Sequence, residues 1–243
     1  MSKFGLIGKN IGYSFSKTFF SEKFEKENLH HSYQNFDIPS IDSLPKLILE
    51  TPNLKGLNVT IPYKEEVIHF LDSTDDEAKK IGAVNTIKIS ENKHLKGFNT
   101  DHFGFQKSLE TFLPLQQKTA LILGTGGASK AVAYALEKLD FNFKFVSRTE
   151  GPNRLNYSSL TKSVIENHLL IINCTPLGTF PNIADFPPIP YQFLTEKHLL
   201  FDLIYNPAET EFLKRGKLQG AKTNNGLRML ELQAEKAWEI WNS

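Results

Sequence analysis

The sequence predicts an α/β protein of two domains, and three observations carry that prediction. Short apolar runs alternate with helical patterns from the first residues onward, the arrangement that builds parallel sheets through βαβ crossovers. Past residue 101 the texture changes: TALILG (119–124) is a continuous apolar run, the mark of a strand buried on both faces of a doubly wound sheet, and NFKFVS, HLLIIN and HLLFDL follow as further strands. Between the first of these strands and the helical pattern KAVAYALEKL stands a glycine-rich turn, GTGGAS.

Taken in order, KFGLIG (3–8) reads as a strand and residues 16–28 as a helix, with Phe19, Phe20 and Phe24 at helical spacing. HSYQNF (31–36) is a second strand, followed by a helix over about 41–49. GLNVT is the third strand, and two further helical pieces run to about Ile81. AVNTIKI (83–89) and HLKGFN (94–99) form a hairpin around the polar residues 90–93. Asp101 reads as the N-cap of a helix over 102–112 that Pro114 stops. The change of texture near Asp101 sets the domain boundary. A long amphipathic helix over 227–241 ends the chain.

A chain of 243 residues with 40% hydrophobic and 23% charged residues has the composition of a globular protein able to bury a sizeable core. Its formal net charge of +1 supplies no field to gather nucleic acid or an anionic membrane. An anionic ligand must therefore be held by local geometry. The single Cys174 excludes an internal disulfide framework and a thiolate zinc cage, and no metal site is expected. No window approaches the roughly twenty apolar residues of a membrane span, and MSKFGLIGKN turns polar too early for a signal peptide. A cytoplasmic protein is the expectation. No solenoid-spaced repeat or low-complexity tract is present.

In the glycine turn, Gly124 permits the tight bend and Gly126 lets backbone approach a pyrophosphate, which the helix amides then bind. The departure from the dinucleotide fingerprint is Ser129, where Gly or Ala is usual. The next strand, NFKFV, ends in Ser147, Arg148 and Thr149, with no carboxylate before Glu150. A guanidinium pairs with a 2′-phosphate where a carboxylate would repel it, so NADP is expected over NAD. The bland alternative makes Arg148 a solvated charge at a strand end.

The N-terminal half ends strands or opens helices with small polar residues: Ser14 and Ser16, Thr60, and Asn85 with Thr86. Ligands in open α/β sheets bind at the carboxyl ends of strands, so these residues suit a polyhydroxylated ligand. Singly, each serine also reads as a helix cap and Asn85 as a hairpin contact. Lys64 and Asp101 are the candidates for acid and base work, since hydride transfer to a ketone needs a proton at the developing alkoxide. Against that reading, Lys64 is a solvated lysine before Glu65 and Glu66, and Asp101 a helix cap.

Read together, YSFS, NVTIPYKEEV, GAVNT, NTDHFG, GTGGAS, SRT, NCTPLG, DLIYNP and NNGLRMLELQA resemble the shikimate dehydrogenase family, in that family's order and over nearly the whole chain. The resemblance implies a substrate domain (1–101 with 227–243) and a Rossmann-like NADP domain (102–226) flanking a cleft. It also implies NADP-dependent interconversion of 3-dehydroshikimate and shikimate in aromatic amino-acid and chorismate synthesis, by a monomer or homodimer. Carried over by position, Ser14 and Ser16 anchor the substrate carboxylate, and Thr60, Asn85, Asp101, Tyr205 and Gln233 complete the contacts. Lys64 becomes the acid/base residue, with Asp101 holding it and a ring hydroxyl. Gly124, Thr125, Gly126, Gly127 and Ala128 cradle the pyrophosphate, while Ser147, Arg148 and Thr149 read the adenosine phosphate. Leu203 and Gly226 line the nicotinamide end, and Asp76 touches the cofactor.

The chain departs from that pattern in three places. Lys17 stands where the family usually has Pro, Ser147 replaces Asn, and Pro152 replaces a second basic residue, for which Arg154 is the nearest substitute. The rival readings are a quinate or quinate/shikimate dehydrogenase using NAD and a non-catalytic NADP- and metabolite-binding sensor.

Overall fold

The computed structural model describes residues 1–12 and 14–243; Tyr13, in the YSFS stretch, lies outside the described residues. They form two compact units, residues 1–103 with 233–243 and residues 104–232. No helix among the described residues is long and apolar enough to cross a membrane.

The first unit contains β1 (Ser2–Gly8), α1 (Phe15–Lys26), β2 (His31–Asp37), a 3-10 turn (Ile41–Ser43) leading into α2 (Leu44–Glu50), and β3 (Leu54–Val59). A second 3-10 turn (Glu66–Phe70), β4 (Ser73–Thr74), α3 (Asp76–Ile81), β5 (Thr86–Ile89) and β6 (Leu95–Phe98) follow. After α4 (Asp101–Glu110) the second unit holds β7 (Thr119–Leu123), α5 (Gly127–Lys138), β8 (Asn142–Ser147), β9 (Arg154–Asn156) and α6 (Lys162–Glu166). It continues through β10 (Leu170–Asn173), β11 (Leu199–Asp202), α7 (Glu211–Leu218) and β12 (Lys222–Asn224) to α8 (Leu227–Asn242), which runs on into the first unit.

In the first unit the strand order is β2-β1-β3-β5-β6-β4, with β1 parallel to β2 and β3, and β5 antiparallel to β3 and β6. Alternate residues serve opposite faces. Ile7, Leu57, Val59 and Ile87 face Leu44 and Ile48 of α2 and Ala78 of α3. Phe4 and Leu6 face Phe20 and Phe24 of α1 together with Ala234, Ala237 and Trp241 of α8. Phe20 is fully buried and stacks on Tyr33 at 4.7 Å, so its burial contributes about 2–3 kcal/mol. Gly56 is fixed by packing: a Cβ there would stand 2.3 Å from Trp241 Nε1, which instead donates to the Ile87 carbonyl at 3.0 Å.

In the second unit the order β12-β11-β10-β7-β8-β9 is parallel throughout. The continuous runs are buried on both sides, Ile122, Ile172 and Phe201 against α4 and α5, and Leu121, Ile171 and Leu200 against α6 and α7. The strand order reverses direction at β7, with β8 on one side and β10 on the other, which is where doubly wound sheets bind ligands.

Two local expectations are corrected. The helix over 41–49 begins as a 3-10 turn, and the α-helix starts only where Pro45, lacking an N–H, occupies its first turn. Asp101 is not the cap of α4: it is the first helical residue, and the Asn99 side chain accepts from His102 N at 3.3 Å. After the turn at Pro152 and Asn153 (φ 53°), residues 154–156 pair with β8 as a short edge strand.

Candidate active site

Lys64 sits in the turn that leaves β3, and backbone bonds hold that turn on every side. Thr60 N donates to Ile7 O at 2.9 Å, Tyr63 N to Thr60 O at 3.0 Å, and Val84 N to Lys64 O at 2.7 Å. Pro62 fixes φ within it. The Tyr63 hydroxyl donates to the Ile38 carbonyl at 2.7 Å, pinning the turn to the core. The Lys64 ammonium is thereby placed 2.7 Å from Asp101 Oδ2, in a pair whose side chains are only 16% and 9% exposed.

The other oxygen of Asp101 accepts from Asn85 Nδ2 at 2.9 Å. Asn85 also donates to Thr100 Oγ1 at 3.0 Å and to Gln233 Oε1 at 3.4 Å, while its own oxygen accepts from Thr100 N at 2.7 Å. Lys64, Asn85, Asp101 and Gln233, widely separated in sequence, thus form one hydrogen-bonded cluster. An ammonium oriented by a carboxylate, itself held by an amide, can deliver a proton to an oxygen set beside it.

Ser14 caps α1, its oxygen accepting from Lys17 N at 3.4 Å, so its own proton is directed elsewhere. Ser16 lies half-buried in the first turn of α1. Thr60 directly follows β3, with its methyl against Gly8, where a Cβ would come within 2.5 Å of it. Asp76 opens α3 and is not joined to the Lys64 cluster. Sequence reasoning missed Tyr33 and Thr100; both look like ordinary strand and loop residues, and only their partners mark them.

In the second unit Gly124 has φ 105°, a left-handed conformation that favours glycine, and a Cβ there would press on the Cys174 carbonyl at 3.2 Å. Gly126 is the N-cap of α5, which begins at Gly127, three residues before the expected helical run. No side chain caps this helix, and a Cβ on Gly126 would meet nothing within 4 Å. The first-turn amides are therefore open to an anion. Ser129, the departure from the fingerprint, is fully buried and satisfies its hydroxyl on the Gly126 carbonyl at 2.6 Å.

At the end of β8, Ser147 Oγ donates to Thr149 O at 2.6 Å and accepts from Thr149 N at 3.2 Å, which folds the loop tightly and leaves Arg148 exposed at its tip. Glu150 is drawn aside by Ser159 Oγ at 2.9 Å. Gly226 N donates to Ile204 O at 3.0 Å, and a Cβ at 226 would collide with Leu203 O at 2.1 Å, so the two backbones approach as only glycine allows. Tyr205 lies half-buried in the loop after β11. These features suit a dinucleotide: an uncapped helix N-terminus for a pyrophosphate and a free guanidinium at the neighbouring strand end.

Asp202, at the end of β11, is buried with no ion-pair partner among the described residues. It accepts from Asn173 Nδ2 at 3.0 Å, Ile204 N at 3.1 Å and Thr210 Oγ1 at 2.6 Å. Burial outweighs these bonds and pushes its pKa up from 3.8 to about 6. Between these values the folded state binds more protons than the unfolded state, so stability falls as pH rises through this window. The shift corresponds to about 3 kcal/mol. Urea unfolding should show wild type losing roughly that much relative to Asp202→Asn between pH 4 and pH 7. A difference independent of pH would mean that the carboxyl titrates alike in both states.

Known proteins resemble this chain over nearly its whole length. The family described as shikimate dehydrogenase substrate binding domain matches residues 6–87. An NADP(+) shikimate dehydrogenase of Methanosphaera stadtmanae is 38% identical over 98% of this chain and 90% of its own. The Thermus thermophilus shikimate 5-dehydrogenase solved with NADP(H) and shikimate superposes with a TM-score of 0.87, at 32% identity, over 99% of this chain and 93% of its own. A Corynebacterium glutamicum quinate dehydrogenase solved with NAD also superposes at 0.87, with 27% identity, over 99% and 93%.

Proposed function

The chain belongs to the shikimate dehydrogenase family, and from that premise we propose that it is an NADP-dependent oxidoreductase reducing 3-dehydroshikimate reversibly to shikimate. The observation that carries this reading is the Lys64–Asp101–Asn85 cluster at the strand ends of the first unit. The first unit takes the substrate and the second the cofactor. NADPH, when bound, supplies the hydride to the substrate carbonyl carbon. Lys64 gives a proton to the oxygen that becomes negative as the carbonyl is reduced, and receives one in the reverse direction. Asp101 keeps the ammonium aimed and accepts from a ring hydroxyl.

Ser14 and Ser16 bind the substrate carboxylate, and Thr60, Asn85, Tyr205 and Gln233 hold its remaining oxygens. The first-turn amides of α5, with Gly124, Thr125, Gly126, Gly127 and Ala128, take the pyrophosphate. Ser147, Arg148 and Thr149 take the adenosine phosphate, Leu203 and Gly226 border the nicotinamide, and Asp76 is a peripheral cofactor contact. A monomer or homodimer in the cytoplasm, making aromatic amino-acid precursors, fits this reading.

The test is NADP and NAD reduction followed at 340 nm with shikimate and quinate side by side. Shikimate with NADP should give the highest kcat/KM. A higher value for quinate with NAD would favour the rival dehydrogenase, and binding without turnover would favour a sensor.

A further inference from the structure

We propose that Asp202 is a positioning residue for the nicotinamide half of the cofactor, its buried carboxylate fixing the chain that carries Leu203 and meets Gly226. The inference rests on the assignment of Leu203 and Gly226 to the nicotinamide. Its basis is a hydrogen-bond hub at the ends of two neighbouring strands, whose proton directions follow from groups that only donate or only accept.

β10 and β11 pair with Asn173 opposite Asp202, each the last residue of its strand and fully buried. Asn173 Oδ1 accepts from Thr175 N at 3.0 Å and from Thr175 Oγ1 at 2.6 Å. A backbone N–H only donates, so this amide must turn its nitrogen to Asp202 Oδ1, 3.0 Å away. Thr210 Oγ1 accepts from Leu213 N as the N-cap of α7, which leaves its proton for Asp202 Oδ2 at 2.6 Å. Ile204 N is the third donor, to Oδ1 at 3.1 Å. One carboxylate thus gathers the end of β10, the chain leaving β11 and the start of α7.

The chain leaving β11 is the part that matters for the cofactor. Leu203 N donates to Asn173 O at 3.0 Å, Ile204 N to Asp202, and Ile204 O accepts from Gly226 N at 3.0 Å. Leu203 is therefore held from both sides, half-buried between two buried neighbours. Its carbonyl lies where a Cβ on residue 226 would stand 2.1 Å away, so any shift of Leu203 changes the fit at Gly226. Because burial pushes the Asp202 pKa up to about 6, ionising it at neutral pH lowers stability, so its charge does not serve the fold. Groups perturbed in this way cluster at functional sites.

Asp202→Ala leaves the three donors without their acceptor. We expect its KM for NADP to rise about 10-fold and kcat to fall about 5-fold. The KM for shikimate and the Ki of adenosine 2′,5′-bisphosphate should stay within about twofold of wild type. That inhibitor carries the adenosine phosphates and no nicotinamide, so a purely structural role would lower Tm and the active fraction and leave the ratio of NADP KM to its Ki in place. Asp202→Asn keeps an oxygen for Asn173 and Ile204 and should restore both parameters to within about threefold of wild type. Asn173→Ala, which removes one donor and keeps the carboxylate, should raise the same ratio even where Asp202→Ala does not fold. An unmoved ratio in either alanine variant that folds, or an asparagine variant as impaired as the alanine one, would overturn the proposal. Failure of the dehydrogenase reading itself is separate, because wild type would then show no turnover of shikimate.

Discussion

Replacing Lys64 by alanine lowers kcat by about 10² or more and leaves the KM for shikimate within a few-fold of wild type. The expectation follows from what the ammonium touches. Its one hydrogen bond among the described residues goes to Asp101, so it does not hold the strands or the turn together. That turn is secured by backbone bonds from Thr60, Val84 and Tyr63, none of which needs the Lys64 side chain. Asp101 keeps Asn85 as a donor after the substitution, and water can enter where the ammonium stood. The lost interaction is then the one made as negative charge develops on the substrate oxygen, and such a loss falls on kcat. Steady-state kinetics with saturating NADP checks it. An essentially unchanged kcat would remove Lys64 from the proton-transfer role, and a large rise in KM at constant kcat would make it an orienting residue instead.

How far this was legible from sequence depends on the range of the interaction involved. The central strands β7, β10 and β11 of the second unit were readable because their continuous apolar runs report burial on both faces, as Leu121 and Ile122 show by facing opposite cores. The third strand and its turn were readable from β-branched residues stopped by Pro62. Local pattern failed where a distant partner decides. Asp101 stands where a helix cap belongs, yet Lys64 and Asn85 claim its carboxylate, and Asn99 caps the helix in its place. Strand β9 escaped notice because three residues after a turn carry no periodicity; its pairing with β8 alone makes it a strand. Tyr33 was equally hidden, since nothing in HSYQNF separates a core tyrosine from one bonded to Asn58. The ordered set of motifs supplied the candidate site residues, and the hydrogen bonds supply the partners of Lys64, Asn85 and Asp101.

Replacing Arg148 by alanine raises the KM for NADP about tenfold or more while the KM for NAD changes little, because a charge-assisted bond to a phosphate is lost and nothing else. The loop is built to keep this arginine available. Ser147 closes on both the N–H and the carbonyl of Thr149, which turns residue 148 outward, and among the described residues no carboxylate is ion-paired with it. Glu150, the nearest acid in sequence, is occupied by Ser159. A 2′-phosphate carries negative charge that the ribose hydroxyl of NAD lacks, so removing the guanidinium penalises one cofactor selectively. Some preference should survive the substitution. Arg154 folds its guanidinium over Gly151, where a Cβ would come within 2.5 Å of it, and so keeps a second cation on the same loop. The measurement is KM for both cofactors on wild type and variant at fixed shikimate. An unchanged KM for NADP would sink the assignment, whereas equal losses for NADP and NAD would place Arg148 on the adenine ring that both cofactors share.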